Sequence, residues 1–191
     1  MLTIQTVLER LSPYAGTTHL CPTTANKGVA GFLVETLAGI PQTSNCLDCI
    51  DGEVKCFPLK RLASGALVPK ETVAVTMIQP TSLATTPFAA SNAYKKLANC
   101  LYIPYLRTGD NIQLFKPVIR TIPESDPLFA TLKADYDAIV SAYTTTATLS
   151  GTTGLGTYLQ NRTKGAKSST SRAFYLRTGF LKEVVMPICL P

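Results

Sequence analysis

The stretch LDCIDGEVK, residues 47–55, decides how this chain is read. Side chains two apart on a β-strand share a face, so Glu53 and Lys55 point the same way if 53–55 is extended. Asp51-Gly52 is the dipeptide of a two-residue hairpin loop. A hairpin closed there sets Ile50 opposite Glu53 and Asp48 opposite Lys55, all four on one side of the sheet. Opposed residues have Cβ atoms about 4.5–5.5 Å apart, so two carboxylates and one ammonium gather in a small volume. Two carboxylates on a rigid ribbon can hold Mg²⁺, a hard cation that takes oxygen ligands and keeps several waters. Such an ion acidifies a bound water and offsets charge building on a phosphodiester. A lysine beside that water can orient it, deprotonate it or stabilise the transition state. Taken alone, the nine residues also fit a plain cross-strand ion pair between Asp48 and Lys55. Asp51 reads first as turn chemistry.

Upstream, residues 26–39 (NKGVAGFLVETLAG) read as a helix, with Asn26 as N-cap and Gly39 and Pro41 closing it. Val29, Phe32, Leu33, Thr36, Leu37 and Ile40 form its expected core stripe, and Gly28, Gly31, Glu35 and Ala38 a second face of small residues plus one carboxylate. Residues 1–12 read as a shorter helix, with Ile4, Val7, Leu8 and Leu11 on one stripe and Pro13 ending it. Downstream, EVKCFPL and TVAVTMIQP read as strands, 88–99 as a helix, and CLYIPYL as a strand, with another at 111–119. Asp126-Pro127 opens a helix to about Tyr143, and the Thr/Ser/Gly-rich 144–154 reads as a loop. GTYLQNR and RAFYLRT read as short strands, and FLKEVVMP as a closing element.

The chain of 191 residues is long enough for one domain with a substantial core. No apolar run approaches the roughly 18 residues a membrane span needs, and Glu9 and Arg10 sit where a signal peptide would be apolar. Neither a membrane nor a secreted location is expected. The six cysteines, at 21, 46, 49, 56, 100 and 189, include one CxxC. No second CxxC or paired histidine completes a zinc site, and His19 is the sole histidine. Reduced, mostly buried thiols and a cytoplasmic location are expected. The net charge is +6, and residues 138–182 contain no acid but carry Arg162, Lys164, Lys167, Arg172, Arg177 and Lys182. Such a segment attracts phosphates, as DNA, as RNA or simply as a solvated basic face.

With these residues in view, the Asp…Glu-x-Lys pattern after a glutamate-bearing helix resembles the core of PD-(D/E)xK nucleases. The wider order is similar to the MutH family, which includes the methyl-directed mismatch-repair nicking endonuclease and related GATC-cutting type II restriction enzymes. NKGVAGFLVETLAG resembles that family's lysine-glycine loop and glutamate helix, DGEVKCFPLK its Glu-x-Lys strand, and YKKLANCLYIPY its lysine helix and following strand, with Tyr102 in place of a tryptophan. GTYLQNRTKGA and RAFYLRTGF resemble its two C-terminal DNA-contacting segments.

The resemblance implies an α/β PD-(D/E)xK restriction-endonuclease-like fold, a central mixed sheet flanked by helices with a DNA-binding cleft. It implies a single domain over 1–191, with a catalytic half to about 110 and a DNA-reading half from about 111. Its carry-over places Glu35, Asp48, Glu53, Lys55 and Lys96 in the catalytic group, with Lys95 as the rival of Lys96. Mg²⁺ would lie on Asp48 and Glu53. Lys27, Arg162 and Lys164 would contact DNA, and Tyr175 would sense adenine methylation. The partner implied is double-stranded DNA, cut at GATC in restriction or in methyl-directed nicking with a MutL-like partner. The protein would act as a monomer or a DNA-induced dimer. A DNA-binding module of the same fold without catalysis is the alternative. Asp48 and Glu53 have four residues between them, two fewer than the family pattern. One lost from each hairpin arm would keep both carboxylates on one face. Arg162-Thr163-Lys164 also lacks a proline common between the two basic residues.

Overall fold

A computed structural model describes residues 1–22, 28–43, 45–149, 155–165 and 169–190. Asn26, Lys27 and Lys167 lie outside the described residues.

Helix α1 (Ile4–Leu11) starts where the Thr3 hydroxyl accepts from the Thr6 N–H, buries Ile4, Val7 and Leu11, and gives way to a 3₁₀ turn carrying Pro13. Strand β1 (Thr18–Leu20) and helix α2 (Val29–Ala38) follow. The α2 face differs from the expected one. Ala30, Val34 and Ala38 are the buried residues of the helix, and Ile40 just past it is buried as expected; Val29, Leu33 and Leu37 of the expected stripe pack half-buried against the core, whereas Phe32 is 59% exposed. The small residues let α2 lie close to α1 and the sheet, and Arg10 Nη1 donates to Ala38 O at 2.8 Å. Close approach therefore overrides the larger side chains.

Then come β2 (Glu53–Arg61), β3 (Leu67–Pro69), β4 (Val73–Met77), α3 (Pro80–Leu83) and α4 (Asn92–Leu97), the last capped by Ser91. Strand β5 (Asn99–Thr108) is followed by β6 (Asn111–Leu114) and β7 (Val118–Thr121), so the single strand expected over 111–119 is two. Helix α5 (Pro127–Thr146) outruns its expected end at Tyr143, with Thr144, Thr145 and Thr146 turning their hydroxyls back onto carbonyls four residues earlier. Strands β8 (Leu159–Thr163) and β9 (Arg172–Leu176) lead to a closing helical run: α6 (Thr178–Phe180), a π-helical turn and α7 (Met186–Cys189).

Among the described residues the strands form two sheets. The larger has the order β1-β6-β5-β2-β3, with β7 also on β5. Its β2–β5 pair is parallel and its other pairs are antiparallel, so the sheet is mixed. The smaller sheet is β4-β9-β8. The sheets do not divide near residue 110, because β4 joins the C-terminal strands while β6 and β7 join the first sheet. One apolar core lies among α1, α2 and one face of the large sheet, including Leu101 and Ile103. A larger core carries the other face, with Phe57, Leu59 and Tyr102, against α4, α5, the small sheet and the closing helices. This is the mixed α/β architecture expected, a central sheet with helices on both sides.

Candidate active site

The segment 47–52 is not a strand, which corrects the expected hairpin. It folds over the start of α1: Asp51 Oδ1 accepts from Ile4 N at 2.8 Å, and Ile50 N donates to Leu2 O at 2.9 Å. Ile50 is 63% exposed and does not oppose Glu53. Gly52 sits in a tight crossing, where a Cβ would lie 2.5 Å from both Asn99 O and Ile4 Cδ1. The partner of β2 is β5, in parallel register, with Glu53 beside Cys100 and Lys55 beside Tyr102. With no hairpin arms in the structure, a loss of one residue per arm does not account for the facing of Asp48 and Glu53.

The charged groups converge by another route. Strand parity puts Glu53 and Lys55 on the face of Phe57 and Leu59, as expected. Glu53 is only 2% exposed. Its Oε1 accepts from Lys55 Nζ at 2.6 Å and from Lys96 Nζ at 2.7 Å. Helix α4 runs directly into β5, the strand beside β2, and so hangs Lys96 over Glu53; Lys95 is exposed. Glu53 Oε2 is buried and has no hydrogen-bond partner among the described residues. Asp48 reaches the same place from the bend, its Oδ2 accepting from Val54 N at 3.0 Å.

Electrostatics marks the cluster as one site. Burial alone would lower the Lys55 pKa, but the charge and hydrogen bond of Glu53, with a smaller contribution from Asp48, outweigh it and hold the ammonium above its ordinary value. The Cys49 thiol is pushed up to about 11 by burial and by the charges of Asp48, Asp51 and Glu53. Burial likewise pushes Cys56 and Cys100 up to about 12. All six cysteines are free thiols, and four are buried. Among the described residues, no group of three or more His, Cys, Asp and Glu side chains is placed to hold a metal ion. Any cation here would rest on the two carboxylates and on water.

Glu35 is not in hydrogen-bond contact with this cluster. Its Oε2 accepts from Gln42 Nε2 at 3.3 Å, and its charge bears on Cys56, across the open edge of β2. A cleft of about 260 Å³ runs along that edge between α2 and β4, lined by Gly28, Lys55, Glu71, Thr72 and Tyr105 among others.

Thr72 also lines a second cleft, of about 390 Å³, with Gln160, Arg162 and Arg177. The basic ribbon stands here. In the β8–β9 register, Arg162 faces Ala173 and Gln160 faces Tyr175, which makes Arg162 and Tyr175 diagonal neighbours on one face. The Arg162 guanidinium and the Lys164 ammonium each lie 5.8 Å from the Tyr175 ring centre, within cation–π range. Arg162 Nη1 also donates to Thr72 Oγ1 at 2.8 Å. Arg162 and Lys164 are exposed and Tyr175 is half-buried, while Phe174 points the other way into the core. The structure thus groups Asp48, Glu53, Lys55 and Lys96 at one place, and Arg162, Lys164 and Tyr175 at another.

Residues 43–123 match the model of a protein family described as the DNA mismatch repair enzyme MutH. Over that stretch the chain is similar to the MutH-type DNA endonuclease family. The matched residues contain Asp48, Glu53, Lys55 and Lys96, together with the strands β2 and β5 that assemble them. Glu35 and the β8–β9 ribbon lie outside the match. With the mixed sheet and flanking helices, the match gives the MutH-type segment an α/β restriction-endonuclease-like setting. No curated protein matches the chain. Among the described residues, no helix is long and apolar enough to cross a membrane.

Proposed function

We propose that this MutH-type protein cuts double-stranded DNA by hydrolysing a phosphodiester at the Asp48–Glu53–Lys55–Lys96 cluster. The observation that carries the reading is Glu53: a carboxylate 2% exposed, one oxygen shared by two lysines, the other buried without a partner among the described residues. A buried polar atom left unpaired is costly, and such atoms concentrate where a ligand or catalytic group belongs. The orphaned Oε2, and the Asp48 carboxylate held on the N–H of the adjoining Val54, offer the hard oxygen donors that Mg²⁺ takes. Asp48 and Glu53 would hold the ion, which when bound acidifies a water and offsets charge on the phosphate.

The chain's own residues do the rest. Lys55 and Lys96 present ammonium groups beside the carboxylates, where they can orient the attacking water and stabilise the added negative charge of the transition state. The parallel β2–β5 pairing fixes Lys55, and α4 fixes Lys96, so little reorganisation is needed. Glu35, on the far side of the cleft, would act on Lys55 or the ion only through intervening water. Lys27 would add a phosphate contact.

Arg162 and Lys164 supply donors suited to guanine edges or to phosphates, and Tyr175 an aromatic edge beside them. We assign sequence reading to this ribbon, with GATC as the target and Tyr175 close to the adenine methyl group. The reading takes in a single domain over 1–191, a cytoplasmic location, and action as a monomer or a DNA-induced dimer. A MutL-like partner belongs to the nicking version of the role and none to the restriction version.

The test is incubation with GATC plasmids in unmethylated, hemimethylated and fully methylated form, with Mg²⁺ or EDTA. Metal-dependent nicks or linear product at GATC are expected, with at least one methylation state resisting. DNA binding without cleavage under every metal condition would instead favour a binding module of the same fold.

A further inference from the structure

Asp135, in the middle of α5, is a carboxylate 4% exposed, and among the described residues no cation forms an ion pair with it. Its partners are three successive backbone amides. Thr157 N donates to Oδ1 at 2.6 Å, and Tyr158 N and Leu159 N donate to Oδ2 at 2.6 and 2.7 Å. The chain is drawn onto the carboxylate so tightly that Gly156 (φ +85°) has no room for a side chain. A Cβ there would lie 2.2 Å from Leu159 O and 3.0 Å from Asp135 Cγ. The end of β9 is tied to the same turn, since Arg177 N donates to Tyr158 O and Arg177 Nη2 to Leu155 O, both at 2.8 Å.

Burying a carboxylate without a cation is costly, and an apolar residue would fill the space at lower cost. What the carboxylate supplies is register. Leu159 opens β8 facing the core, so its fixed position decides that Arg162, three residues on, faces outward beside Tyr175. A slip of one residue would turn every β8 side chain to the opposite face. We propose that Asp135 is a positioning residue for sequence reading: it sets the phase of the β8–β9 ribbon and thereby its discrimination among DNA sequences. This rests on the reading role proposed above for that ribbon.

The test compares Asp135→Asn with the wild-type protein. Asparagine keeps one acceptor oxygen and replaces the other with a donor, so at least one of the three amides meets an N–H. Binding to a GATC duplex and to a duplex with one base pair changed is measured at one stated salt concentration, beside hydrogen exchange at amides 157–159. Faster exchange at those amides is expected, with discrimination reduced about tenfold or more, the size of one lost base contact, and affinity for the changed duplex held. If Asp135→Asn fails to fold, Gly156→Ala disturbs the same turn from the backbone side and should lower discrimination in the same way. Faster exchange with full discrimination would overturn the proposal and leave Asp135 a purely structural clamp. A wild-type protein that does not discriminate would overturn the reading role of the ribbon first, and this inference with it.

Discussion

Glu53 Oε1 takes hydrogen bonds from two ammonium groups, at 2.6 and 2.7 Å, in a pocket where the carboxylate is almost wholly dry. Removing that charge strands both lysines. Glu53→Gln should therefore lower stability by about 3 kcal/mol, the lower end for breaking a buried pair, because both lysine side chains keep some solvent. Lys96→Met should cost less, since Lys55 remains on the carboxylate; urea denaturation of the two variants checks the order. At this scale Glu53 and Lys55 were legible because strand parity is local and depends on two residues. Asp48 was found, but for a hairpin that does not exist: its carboxylate reaches Val54 N from a bend. Lys96 sits 43 residues from Glu53 in the chain, and only the family resemblance pointed to it. Asp135 was missed, since one acid on a helix carries no signal until the turn it binds is in place.

Single elements follow their local chemistry where the ends are capped. Asp126 Oδ1 accepts from Leu128 N at 2.9 Å at the start of α5, and Arg120 Nη2 pairs with Oδ2 at 2.6 Å. The backbone hydrogen bond from Leu128, more than the Arg120 contact, holds the Asp126 carboxyl below its ordinary value. A carboxyl so depressed stabilises the fold above its ordinary pKa and loses that contribution as pH falls through the lower folded value. Asp126→Ala should thus cost about 1 kcal/mol at neutral pH, lowering Tm by about 2–4 °C. The gap between variant and wild type should narrow below about pH 4, where the unfolded carboxyl takes its proton. Thermal melts at neutral and acid pH check both. The C-terminal end of α2 and the start of α5 were legible for the same reason, glycine and Asp-Pro being local signals. The buried face of α2 was not, because the choice between small and large residues depends on how closely α1 approaches. The Asp51-Gly52 hairpin gave way to a long-range competitor, the parallel β2–β5 pairing, while Asp51 went to the α1 terminus.

Across the whole molecule, β4 carries the chain from the first sheet into the second, and Thr72 just before it lines both clefts. The cleft beside Lys55 and the cleft beside Arg162 thus adjoin, which suits the proposed duplex held at one and read at the other. The basic, acid-free run was legible from composition, but not that Arg162 and Lys164 flank one tyrosine ring, which needs the β8–β9 register. If Lys164 touches only phosphate, Lys164→Ala should weaken binding equally for all sequences and lower the salt slope by about one. Arg162→Ala should instead cost about 1–3 kcal/mol on the preferred sequence alone, measured by titration at several salt concentrations. Hydrolysis is assigned in this proposal to Glu53 and Lys55. Its most direct test is plasmid cleavage with Mg²⁺ by wild type, Glu53→Ala and Lys55→Ala, each first shown to bind DNA. Both variants should cut at least about 100-fold more slowly at near wild-type affinity; wild-type cutting by either would contradict the account.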